Sequence, residues 1–179
     1  MRKKSTLALG MIINKIVSNM RDGECFLNIG VWKGYTLFAG MVGNESKVCI
    51  GVDNFSQFGS PRGYFLEKFR KLKSENHYFF EMSYEKYFEQ VHRSNIGFYI
   101  YDGHHGYENQ LNNLLVAEQF FSDGCIVMID DTNFSQVRKA TQDFIATSKN
   151  TYEILVDART PRDRHMTFWN GVMIFQKTG

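Results

Sequence analysis

The stretch YDGHHGYENQ, residues 101–110, gathers an aspartate, two histidines and a glutamate behind an apolar run, and MIDDTNF, residues 128–134, sets two aspartates behind another. Carboxylates and imidazoles are the side chains that hold divalent cations and move protons near neutral pH. Asp102 and Asp130 are 28 positions apart, so they meet only if each ends a strand and the two strands are neighbours in a parallel sheet. Three carboxylates, Asp102, Asp130 and Asp131, in one crevice repel one another unless a cation lies among them. An all-oxygen set suits a hard ion such as Mg²⁺. Plainer roles stay open at this point: Asp131 or Thr132 also suits the cap of a helix starting near Ser135, and His104 or His105 an ordinary loop position.

A second group with chemical meaning lies earlier, in LNIGVWKGYT, where Gly30 and Gly34 follow an apolar run and precede a helical pattern. Glycines let the chain turn sharply, and the helix N-terminus then offers N–H groups to an anionic part of a ligand. A dinucleotide site wants a glycine where this chain has Trp32, which argues against a pyrophosphate and for a ligand whose carboxylate uses the same amides. Asp53, 23 positions after Gly30, ends the next apolar run and is placed to accept hydrogen bonds from ribose hydroxyls. Together the two signals point to a nucleoside-containing cofactor.

The elements that must position these groups follow from the apolar pattern. Residues 24–30, 47–53, 77–82, 96–102 and 125–130 read as strands apolar on both faces, and helical spacing fills 34–42, 61–74, 84–91, 108–121 and 135–147. That alternation predicts an α/β fold, an open, mostly parallel, Rossmann-like sheet with helices on both faces. Two more strands, 152–158 and 171–177, are separated only by the polar loop RTPRDRHMTFWN and are expected as an antiparallel edge pair, making seven. Ligands of such sheets bind beyond the carboxyl ends of the strands.

A chain of 179 residues is expected to be one domain, with an N-terminal helix within 1–22, opening at Ser5, and a cofactor-binding core over 23–179. Charge is balanced at +2, the tight basic cluster being MRKK, so composition gives no argument for a nucleic-acid partner. Cys25, Cys49 and Cys125 sit in apolar runs without CxxC spacing and read as buried thiols of a reducing compartment. No window approaches the ~18 apolar residues of a membrane span. A soluble cytoplasmic protein without a membrane partner is the expectation.

Taken together, FLNIGVWKGYTL, IGVDNF, FFEMSYEKY, YIYDGHHGYENQLNNL and GCIVMIDDTNF resemble the motifs of class I S-adenosylmethionine-dependent methyltransferases, over roughly residues 5–177. The last two are similar to those of macrocin-type sugar O-methyltransferases. The resemblance implies S-adenosylmethionine as cofactor, held by Asn28, Gly30, Gly34, Thr36, Asp53, Asn54, Ser83 and Asp102. It implies Mg²⁺ on Asp102, Asp130 and Asp131, with His105 as the base. The acceptor would be a small molecule with a hydroxyl, sugars included, recognised by the 159–170 loop, the N-terminal helix or a second subunit of a homo-oligomer. Asn28 departs from the family, which usually has an acid there. That departure keeps a non-catalytic cofactor-binding partner as the alternative, with a nicotinamide-dependent oxidoreductase behind it.

Overall fold

A computed structural model describes residues 5–57, 59 and 61–179; the MRKK cluster lies outside them. The elements are α1 (Leu7–Ser18), β1 (Glu24–Ile29), α2 (Tyr35–Met41), β2 (Val48–Val52), α3 (Arg62–Leu72), β3 (His77–Phe80), α4 (Tyr84–Gln90), β4 (Asn95–Tyr101), α5 (Tyr107–Glu118), β5 (Phe121–Asp130), α6 (Ser135–Thr147), β6 (Tyr152–Ala158) and β7 (Val172–Lys177). The seven strands form one sheet in the order β3-β2-β1-β4-β5-β7-β6, parallel except for β7, which runs antiparallel to both neighbours. The order reverses between β1 and β4, the crevice where open α/β sheets bind ligands.

Strands buried on both faces have no polar side to alternate with, which is why they read as continuous apolar runs. Cys25, Leu27 and Ile29 of β1 face a core shared with Tyr87 and Phe88 of α4, Leu114 of α5 and Val137 and Phe144 of α6. Phe26 points the other way, with Leu9, Ile13 and Val17 of α1, Leu37 of α2 and Phe65 and Phe69 of α3. Helices α1–α3 therefore cover one face and α4–α6 the other. All three cysteines are buried free thiols.

The N-cap of α1 is Thr6, one residue past the expected Ser5; its hydroxyl accepts from Leu9 N–H at 3.3 Å. The helix is pinned to α2 by the Asn14 amide, which donates to the carbonyls of Ala39 at 2.8 Å and Val42 at 2.7 Å. These are groups that a helix end leaves without an internal partner.

Strand β5 starts four residues before the expected Cys125, and α5 stops short of Phe121. Ile96 of β4 pairs with Phe121 and Phe98 pairs with Ile126, so the chain of β5 bulges between these points, with Gly124 at φ 82°. The polar FSDG segment is thus strand, held by the Ser122 hydroxyl donating to the Ile96 carbonyl at 2.9 Å and to Glu24 at 2.7 Å.

Candidate active site

Register assembles the site. Ile29 pairs with Val52 and with Tyr101, and Tyr101 pairs with Ile129, so four parallel strands end nearly in a row. The residues that follow, Gly30, Asp53, Asp102 and Asp130, leave the sheet abreast. They line a cleft of about 290 Å³ together with Trp32, Asn54, Ser83, His105, Asp131 and Trp169.

Gly30 lets the two central strand ends close on each other. Its φ is 82°, and a Cβ there would sit 2.1 Å from the Asp102 carbonyl oxygen, a backbone atom with nowhere to go. Only glycine meets both demands.

Asp53 does something the sequence reading did not foresee. Its Oδ2 accepts the backbone N–H groups of Val31 at 2.9 Å and Trp32 at 2.8 Å, and its Oδ1 accepts that of Phe55 at 2.7 Å. Trp32 and Phe55 have positive φ, 44° and 51°, a costly backbone that these bonds hold in place. A carboxylate offers about four acceptor sites, so Asp53 keeps limited capacity for a further hydroxyl.

Asn28, Gly34 and Thr36, expected to touch the cofactor, do not line the cleft. Asn28 is fully buried. Its Oδ1 accepts the Thr36 hydroxyl at 2.6 Å and its amide nitrogen lies 3.3 Å from the Gly30 carbonyl, so the pair supports the loop from beneath. Gly34 is the left-handed N-cap of α2. Ser83 does line the cleft, and its hydroxyl also caps α4 by accepting from Lys86 N–H at 3.5 Å.

At the other end of the cleft, Asp102, His105 and Asp131 present ligand atoms within 4.8 Å of one another. His105 Nε2 stands 3.1 Å from Asp131 Oδ2, and the His105 ring packs on Phe134 at 5.5 Å between centroids. Asp130, expected as a third ligand, is not in this group. It is buried and accepts the Asp131 N–H at 2.9 Å. Burial, with the Asp131 charge behind it and the N–H bond opposing, pushes its carboxyl well above the usual carboxylate range. Asp131 adopts φ 58°, which re-aims its side chain toward His105. Neither Asp131 nor Thr132 caps α6, whose N-cap is Phe134 with no side-chain bond.

The sequence reading also missed the aromatic lining. Tyr84 and Tyr101 meet edge to face at 6.2 Å and both line the cleft. Burial, aided by Glu85, lifts the Tyr84 hydroxyl to about 12, and burial lifts Tyr101 further, so both are neutral hydrogen-bonding groups and not bases. Trp169 reaches the cleft because the 159–170 loop folds back through the His165–Trp169 bridge. Asn133, just past β5, ties that loop down by donating to the Thr160 carbonyl at 2.9 Å and accepting its N–H at 3.1 Å. Nothing in apolar periodicity marks a loop tryptophan as lining.

Comparison with known proteins agrees with this geometry. A family described as "Methyltransferase domain" matches residues 27–132, more than half of the chain and every site residue named above except Phe134, Thr160, Asn133 and those of the 159–170 loop. No curated protein matches the sequence. Among solved structures, a protein from Streptococcus mutans described as a candidate SAM-dependent methyltransferase superposes with a TM-score of 0.70 at 15% identity, covering 98% of this chain. This chain spans only 50% of that one. An O-methyltransferase from Bacillus cereus, solved with S-adenosylhomocysteine, gives 0.69 at 9% identity, over 95% of this chain and 79% of its own. The O-methyltransferase TomG from Streptomyces achromogenes, solved with S-adenosylmethionine, gives 0.66 at 11%, again over 95% and 79%. At such identities the likeness concerns the fold, and the matched family supplies the rest: the chain belongs to the methyltransferase-domain family and carries the fold of class I S-adenosylmethionine-dependent methyltransferases.

Proposed function

We propose that this protein transfers the methyl group of S-adenosylmethionine to a hydroxyl of a small-molecule acceptor, sugars included, with His105 as proton acceptor. The observation that carries the reading is the convergence of Asp102, His105 and Asp131 at the ends of β4 and β5, in the same cleft as Gly30, Asp53 and Ser83. The cofactor is already an activated electrophile, so the protein's task is alignment and deprotonation. The acceptor oxygen forms its bond to the methyl carbon as the sulfur–carbon bond breaks. The sulfonium leaves as a neutral thioether, and the hydroxyl proton goes to His105.

Asp131 prepares that step. With Nε2–H donated to the Asp131 carboxylate, the tautomer is fixed and Nδ1 becomes the accepting atom. Two carboxylates and an imidazole within reach also form a fitting donor set for a divalent cation, and its nitrogen broadens the choice from Mg²⁺ toward Mn²⁺, Fe²⁺ or Zn²⁺. Asp102 and Asp131 would hold it. When bound, the cation lowers the pKa of an acceptor hydroxyl.

The same convergence favours a second reading, in which His105 is a ligand and not the base. Calorimetric titration of the cation into wild type and His105→Ala separates the two. A base leaves metal affinity intact and lowers turnover about 10²–10⁴-fold, whereas a ligand lowers both. Retained methyl transfer to an identified acceptor in both Asp131→Asn and His105→Ala overturns the assignment altogether.

A further inference from the structure

We infer that the face built by the first turn of α1 and the 159–170 loop docks on an anionic lipid bilayer. Among the described residues, the three most exposed large apolar side chains are Met166 at 83%, Leu7 at 77% and Met11 at 64%. They belong to segments far apart in sequence, yet the structure joins them. The Thr6 hydroxyl donates to the Thr167 carbonyl, which brings the start of α1, with Leu7, against the loop segment that carries Met166, and Met11 follows Leu7 one helical turn on. Tyr35, itself exposed, lies at the same joint through a 2.6 Å bond from its hydroxyl to the Thr6 carbonyl. Phe168 packs into the core and roots the loop, so Met166 stands out from a fixed base.

The surroundings are basic. Arg159, Arg162 and Arg164 are exposed in the same loop and make no ion pair among the described residues. Against these three stands one acid in the loop, Asp163, so these twelve residues carry by themselves a charge equal to the whole chain's +2. The sequence argues against a membrane only through the want of an apolar window long enough to span one. The described helices indeed include none long and apolar enough to cross a bilayer. Lying on one needs less: a few protruding apolar side chains at headgroup depth and a basic rim to draw them to anionic lipid. Nucleic acid offers nothing for bare methionine and leucine side chains. A protein partner asks for a broader complementary surface than one helical turn and a loop tip provide.

The test needs neither cofactor nor acceptor. The full chain is sedimented with vesicles of phosphatidylcholine alone or with about one third phosphatidylglycerol, at low salt. Binding to the anionic vesicles at least about tenfold tighter than to the neutral ones is expected. Arg162→Glu with Arg164→Glu should lower it at least about tenfold, and Leu7→Ser with Met166→Ser should lower the part that survives raised salt, both with an unchanged urea midpoint. Three results overturn the inference: no preference for anionic vesicles, unaltered binding by the Leu7→Ser, Met166→Ser variant, or equal affinity for polyuridylate or polyglutamate. The last would point to a nucleic-acid or acidic-protein partner instead.

Discussion

Replacing Gly30 by alanine tests how the site is built. The new methyl group would have to occupy a point 2.1 Å from the Asp102 carbonyl oxygen, 2.5 Å from its carbon and 2.9 Å from Gly103 N. None of these atoms belongs to a side chain that could rotate aside, so the ends of β1 and β4 must separate. An L-residue at φ 82° costs about 1–2 kcal/mol before any overlap is counted. Forcing a packed backbone apart adds about 1–3 kcal/mol. A loss near 3 kcal/mol corresponds to a fall of roughly 6–12 °C in melting temperature for a chain of this size. Because Asp102 moves with the carbonyl it carries, calorimetric affinity for S-adenosylmethionine should fall alongside stability. A G30A protein that melts within about 2 °C of wild type and binds the cofactor equally well would falsify the account of the strand ends as a fitted pair.

Other outcomes follow from single contacts. His92, buried against Tyr87, Phe88 and Phe120, is held down to about 4 by desolvation, below its ordinary 6.5. Its neutral form is the folded one, so its contribution is complete above pH 6.5 and declines as pH falls toward 4. Urea titrations should show about 2–3 kcal/mol lost across that window, and His92→Phe should flatten the slope. Arg138 clamps Asp157 with two 2.7 Å bonds and reaches the Thr132 carbonyl at 3.2 Å. Hydrogen bonding from the buried Arg138 lowers the partly exposed Asp157 carboxyl, so the advantage of wild type over Asp157→Asn, about 1 kcal/mol, should be present at pH 7 and fade as pH drops below about 4. Asn28→Asp would place a carboxylate against the Ile29 and Gly30 carbonyls in a fully buried spot, and the cofactor-free protein should lose about 2 kcal/mol by chemical denaturation.

Most of the sheet was legible because strands covered on both sides must be apolar throughout, and the helices between them keep their own period. Strand β5 was the exception: Ser122, Asp123 and Gly124 look like a turn, and only the bulge opposite β4 makes them strand. The acidic and imidazole residues of the site could be read because chemistry restricts which side chains do such work. Their division of labour could not. Adjacent Asp130 and Asp131 look equivalent in one dimension, whereas a single residue at positive φ leaves one buried in the cleft wall and turns the other to His105. Asp53 was read as a ligand for ribose, yet its present partners are three backbone amides that no spacing rule could reveal.

The placement of β7 between β5 and β6 bears on how the chain matures. As the polypeptide leaves the ribosome, residues 152–158 emerge with no edge to join, since the slot beside β5 is reserved for residues 172–177, still to be synthesised. The strands up to β5 can therefore pair as they emerge, whereas β6 and β7 join the sheet together only once residues 172–177 have been made. A stop codon anywhere ahead of Val172 would strand β6 as well, freeing Tyr152, Val156 and Ala158 from the cores they pack against and opening the strand to proteases and aggregation.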